Sequence, residues 1–176
     1  FQLTEYNDGE KIDLTTKDEV VESDTYILTS ALRLQFFEIL RDEDFSLEEK
    51  MVKILEKTQA FTGENIKIKN DTNLIVAYEK TEPIDDAWTS FLGDLKSALQ
   101  EITDTKALWN DNENNKLYSR VLAYIIYRHF IKAVFDKRIK ERICFAVESV
   151  RFIYLCDMKT YFEKGELTLK DRIDNT

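Results

Sequence analysis

From Leu117 to Phe162 the chain writes two successive apolar patterns of helical period, LYSRVLAYIIYRHFIKAVFD and KRIKERICFAVESVRFIYLCDMKTYF, and they hold ten of its twenty-one aromatic residues. Apolar side chains recurring three and four residues apart line one face of a helix. Two such helices, roughly 114–135 and 137–163, with almost nothing between them, predict a long central antiparallel hairpin. The remaining composition agrees with this. Four glycines and one proline among 176 residues supply too little punctuation for many short strands. The expectation is all-α: a single-domain bundle of about five to seven helices.

Other helices are marked by their ends. Tyr26 to Leu40 is rich in apolar residues (Ile27, Leu28, Leu32, Leu34, Phe36, Phe37, Ile39, Leu40) and is broken by RDEDF. Ser46-Leu47-Glu48-Glu49 reads as a capping box that opens a helix running to about Phe61. Thr62-Gly63 closes it. Residues 64–80 stay open between helix and irregular structure, because Ile66 and Ile68 alternate while Leu74, Ile75, Val76 and Tyr78 suit either state. Pro83 is placed in the first turn of a helix to about Ile102, with Asp85 and Asp86 against the positive end of its dipole. NDNENN, 110–115, reads as a polar connection, Gly165 as the stop of the second long helix, and Thr168 as the start of a last short one. Residues 1–24 read as an acidic lead-in to a helical domain spanning 25–176.

Thirty-four acids against twenty-five Lys and Arg leave a net charge of −9. That balance opposes a phosphate backbone or an anionic membrane surface, so nucleic acid and membranes are excluded as expected partners. The longest apolar run, Val121 to Tyr127, is far shorter than the ~18 residues of a membrane span. Cys144 and Cys156 lie twelve positions apart in one helix, roughly 18 Å along its axis. They cannot bridge each other, since a disulfide needs Cα atoms within about 7 Å. Both read as buried thiols of a cytoplasmic protein.

Few residues offer chemistry. His129, the single histidine, shares its helical sector with Tyr118, Leu122, Ile125 and Ala133. Lys132 and Ala133 occupy the positions where a ligand or catalytic partner would stand, so it reads as a core histidine. Asp157 lies on the most apolar stripe of the second long helix. A carboxylate there needs a partner, and Arg128 or Lys132 across the hairpin is the expected one. Asp157, His129 and Arg128 are therefore the candidate catalytic residues. Cofactor-binding residues are not defined and no metal site is expected. Phe145, Phe152 and Cys156 make the same helix apolar on a second side, as in the central helix of a bundle. Phosphate loops, G-x-S-x-G, HExxH and CxxC are absent from the sequence.

Three stretches together resemble the flagellin lysine-N-methylases, a bacterial family. They are DGEKI with TSALRLQFFEILRDEDFSLEEKMVKIL, then NNKLYSRVLAYIIYRHFIKAVFDKRIKERICFAVESVRFIYL, then GELTLKDRI; Arg33, Arg41, Tyr127 and the AVFD turn are their more distinctive elements. The resemblance implies methyl transfer from S-adenosylmethionine to lysine amines of flagellin, and an N-terminal cysteine cluster holding a metal or iron-sulfur centre. That cluster has no counterpart in this sequence. With a start at Phe1 and an end soon after DRI, the expectation is the C-terminal helical part of such a protein. It would support or dock substrate, have no cofactor of its own, and be partnered by flagellin and the cysteine-rich domain. The second reading is an all-helical ligand-binding or protein-interaction domain, such as the effector half of a transcriptional regulator.

Overall fold

Hydrogen-bonding side chains and left-handed residues set several of the helix ends. The computed structural model describes residues 24–83, 85–105 and 112–175; the acidic lead-in falls almost wholly outside them. Among the described residues there are eight helices and no strand. They are α1 (Asp24–Arg41), α2 (Leu47–Thr62), α3 (Asp71–Glu79), α4 (Asp86–Thr105), α5 (Asn112–Phe130), α6 (Ala133–Asp136), α7 (Ile139–Lys164) and α8 (Leu169–Asp174). The capping box before α2 forms as read: Glu49 N–H donates to Ser46 Oγ while the Glu49 carboxylate accepts from the Ser46 N–H at 2.8 Å. Gly63 and Gly165, with φ of 70° and 74°, end α2 and α7 in the left-handed conformation that glycine adopts without strain. Thr168 and Asp171 form a second capping box at α8.

One segment left open resolves into a helix, and two boundaries differ from the sequence expectation. Residues 71–79 are helical because Asn70 caps them, its side chain accepting from the Asn73 N–H at 2.8 Å. Pro83 lies ahead of α4, whose cap is the Asp85 side chain accepting from the Trp88 N–H at 2.7 Å. The polar run at 112–115 belongs to α5, with Glu113 in the first turn, where the helix dipole favours an acid. The AVFD turn also closes into the single-turn helix α6, which with α3 brings the helices to one more than the upper expectation.

The hairpin is present and antiparallel: Tyr118 meets Tyr154 at one end and His129 meets Phe145 at the other. Its turn is fixed by Lys137 at φ 58°, by the Arg142–Asp136 ion pair, and by Arg142 donating to the His129 carbonyl at 3.3 Å. α7 is the central helix, touching α2, α3, α4, α5 and α8. Phe152 accounts for its second apolar side. The ring stacks on Tyr78 at 3.7 Å and meets Trp88 edge-on at 5.9 Å, whereas Phe145 remains half exposed. Phe36, Ile54, Leu74, Leu95, Leu122, Ile143 and Val150 carry the core, each contributing about 1.5–3 kcal/mol through burial. In α1 the apolar set divides: Leu32, Phe36, Phe37, Ile39 and Leu40 are buried, while Ile27, Leu28 and Leu34 face outward. No described helix is long and apolar enough to cross a membrane.

Candidate functional site

The carboxylate on the apolar stripe is buried as its sector requires, with Asp157 only 1% exposed, but its partners are not those expected. Tyr118 Oη donates to Oδ2 at 2.7 Å, Asn175 Nδ2 donates to Oδ1 at 2.9 Å, and Arg172 Nη1 stands 3.4 Å from Oδ2. Arg172 also donates to Asn114 Oδ1 at 2.5 Å, and Asn175 to Thr160 Oγ1 at 3.2 Å. The cation therefore comes from α8, which the left-handed Gly165 turn folds back along α7. Arg128 instead donates to Tyr124 Oη at 3.2 Å, one turn away on its own helix, and Lys132 is exposed. From Tyr118 to His129 α5 rises roughly 16 Å, so the hairpin cannot bring Arg128 or His129 to Asp157. Burial raises the Asp157 carboxyl above its ordinary value against the opposing pull of Asn175, Tyr118 and Arg172. Burial and the adjacent carboxylate hold the Tyr118 phenol protonated as the donor. The cluster is saturated with internal bonds and reads as a polar anchor for α8.

His129 is half-buried, edge-on to Phe145 with ring centroids 5.4 Å apart. Burial, then the charges of Lys132, Arg128 and Arg142, push its imidazole below the ordinary value. It lies at the hairpin turn, less enclosed than a core histidine. The thiols are free; Cys156 is buried as expected, Cys144 is half-buried, and burial pushes both upward. No group of three or more His, Cys, Asp or Glu among the described residues could hold a metal ion.

A different place combines open space with an under-satisfied charge. Between the end of α1, the loop 42–46, the first turns of α2 and the first half of α5 lies a cavity of about 620 Å³. Phe37, Leu40, Phe45 and Ala123 give it apolar walls, and Arg41, Lys50, Lys116 and Arg120 bring cations to it. Lys50 is 4% exposed, and its ammonium donates to Ser119 Oγ at 3.3 Å. Burial lowers the Lys50 ammonium from its ordinary value, with Lys116 adding to the effect and Asp42 and Glu43 opposing it. The acids of the lining are partly committed: Glu43 pairs with Lys116 at 3.1 Å, and Glu49 is turned to the Ser46 cap. Asn115 fastens the two sides together, its Oδ1 accepting from the Leu47 N–H at 3.3 Å.

Sequence reasoning passed over Lys50, yet a signal existed. It stands three residues after Leu47 and four before Ile54, inside the buried stripe of α2. The fold and this cavity define an all-helical domain with a cationic, partly apolar recess at the α1–α2–α5 junction. Comparison with protein-family models, curated proteins and solved structures finds no match to the chain.

Proposed function

We propose that this chain is the helical, substrate-docking part of a methyltransferase resembling the flagellin lysine-N-methylases, in which S-adenosylmethionine supplies the methyl group for lysine amines of flagellin. One observation carries the reading: stretches that share the resemblance but lie far apart in sequence are joined by specific polar bonds. Lys50 to Ser119 links the first stretch to the second, and Arg172 to Tyr118 and Asn114 links the second to the third. The cavity is lined almost wholly by the first two. The three stretches thus pack as one assembled unit, as the parts of one docking domain would.

The domain's own contribution is attraction and support. A net charge of −9 favours approach of a lysine-rich segment through a salt-screened field. Methyl transfer additionally needs the donor's methyl group aligned with an uncharged amine and an acceptor for the amine's proton. His129 and Arg128 stand together near the hairpin turn, apart from Asp157, which is saturated by internal bonds, so the three do not assemble that acceptor. The ligand set of a metal or iron-sulfur centre does not fit the described residues.

The purified chain should therefore bind flagellin in a salt-sensitive manner without methylating it. Fluorescence anisotropy across a salt series measures the first, and mass spectrometry of flagellin incubated with the chain and S-adenosylmethionine measures the second. Absence of binding at low salt would refute docking. Methylated lysine would refute the non-catalytic assignment.

A further inference from the structure

We propose that the cavity between α1, α2 and α5 binds a small organic oxyanion, a carboxylate or a phosphate ester with an apolar body, whose charged end is received by Lys50 and Arg120. The proposal stands independently of the methyltransferase reading.

The central observation is an ammonium taken out of water with too few acceptors. Lys50 carries three N–H donors, is 4% exposed, and has one hydrogen-bond partner, the Ser119 hydroxyl. A buried charge in that state is costly unless an opposite charge or further acceptors meet it. No described carboxylate lies in ion-pair contact with Lys50, and the same holds for Arg41 and Arg120, which line the same space. With Glu43 held by Lys116, the four cations of the lining, Arg41, Lys50, Lys116 and Arg120, face three acids, Glu43, Asp44 and Glu49, and leave one net positive charge. An oxyanion corrects that excess.

The rest of the cavity describes the ligand's body. About 620 Å³ is far more room than a bare inorganic anion fills, and the walls include the rings of Phe37 and Phe45. Clefts in this size range take small organic ligands, and this one sets an apolar wall against its charged and polar groups. A flat or aliphatic body against the rings, with its charge toward Lys50, uses both features.

The test is an amide-resolved NMR titration of the whole chain at fixed ionic strength with four probes: benzoate, phenyl phosphate, inorganic phosphate and benzamide. Benzoate or phenyl phosphate should shift the amides of Lys50, Asn115 and Ser119 saturably, and whichever binds more tightly identifies the source of the oxyanion. Inorganic phosphate should bind at least about tenfold more weakly than the tighter of the two, and benzamide should not bind at this site. Lys50→Met keeps the bulk of the stem while removing the charge, and should weaken binding by about tenfold or more. Arg120→Gln, at an exposed position, should weaken it about threefold, and Lys50→Arg, which keeps the charge, should retain it. If Lys50→Met fails to unfold cooperatively, the other two variants decide. Equal affinity for benzamide, equal affinity for inorganic phosphate, unchanged binding in Arg120→Gln or in folded Lys50→Met, or no saturable shift with either organic anion would each overturn the proposal.

Discussion

Removing Arg172 should cost more than its place on a six-residue helix suggests, because Asp157 would be left behind. The guanidinium stands 3.4 Å from the carboxylate, and the two side chains are 18% and 2% exposed. At that separation the bare attraction is about 5 kcal/mol for an effective dielectric of about 20. Desolvation of both groups takes back part of it, and Tyr118 and Asn175 continue to hold the carboxylate when Arg172 is gone. A coupling energy of about 2 kcal/mol results, inside the usual range for contacting residues. Arg172→Met, which also forfeits the bond to Asn114, should destabilise by about 3 kcal/mol. Asp157→Asn should cost about 2 kcal/mol, since the amide presents a donor where Tyr118 and Asn175 already donate. The double variant should then cost about 3 kcal/mol, no more than the loss of Arg172 alone. Urea unfolding of the wild type, both single variants and the double variant measures the coupling directly. A value below about 0.5 kcal/mol would refute the ion pair as an energetic partner. The cycle between Asp157 and Arg128 is the control and should be additive.

At about pH 8, His129→Phe should change stability by less than about 1.5 kcal/mol, because the position is half-buried against an aromatic ring. The sign of its pH dependence is fixed by a folded-state value lowered by burial and by Lys132, Arg128 and Arg142. The unfolded chain takes up the proton first, so wild-type stability present above about pH 6.5 is lost as pH falls below it, and the variant escapes this loss. Thermal unfolding at about pH 8 and about pH 5.5 reads the difference, and parallel shifts in both proteins would contradict it. Ser46→Ala should lose about 1 kcal/mol with the capping box, and Gly165→Ala a similar amount. No atom lies within 4 Å of the added methyl at Gly165, so that second loss is purely one of backbone conformation. Denaturant midpoints check both, and an unchanged midpoint at Gly165 would show that the left-handed turn is not maintained.

What the sequence revealed was local, and what it withheld was long-range. Ser46, Gly63, Gly165 and Thr168 act within a turn of their own position, so their roles could be read from residue type and spacing. The hairpin followed from two uninterrupted periodic runs. The burial of Asp157 could be read from its sector, but its partner could not. Choosing between Arg128 and Arg172 requires the direction in which the chain leaves Gly165, and helical periodicity carries no information about that. Residues 71–79 were ambiguous because nine residues are too few for period alone to separate a helix from irregular structure. The cavity was hidden for another reason: its walls come from two segments about seventy residues apart, and Lys50 becomes unusual only when α5 closes over it.

The manner in which α8 is attached has a consequence for local opening. α8 contributes no buried residue; Leu169 and Ile173 are 75% and 66% exposed. What holds it is Lys164 to Asp171, Arg172 to Asp157 and Asn114, and Asn175 to Asp157 and Thr160. Opening such a segment exposes little apolar surface, so its opening equilibrium should respond weakly to urea and strongly to ionic strength. Its amides should exchange with solvent ahead of those of α7. Each opening also admits water to Asp157. α8 should therefore behave as a salt-sensitive hatch over Asp157, the one fully buried acid among the described residues, opening while the aromatic core beneath it stays closed.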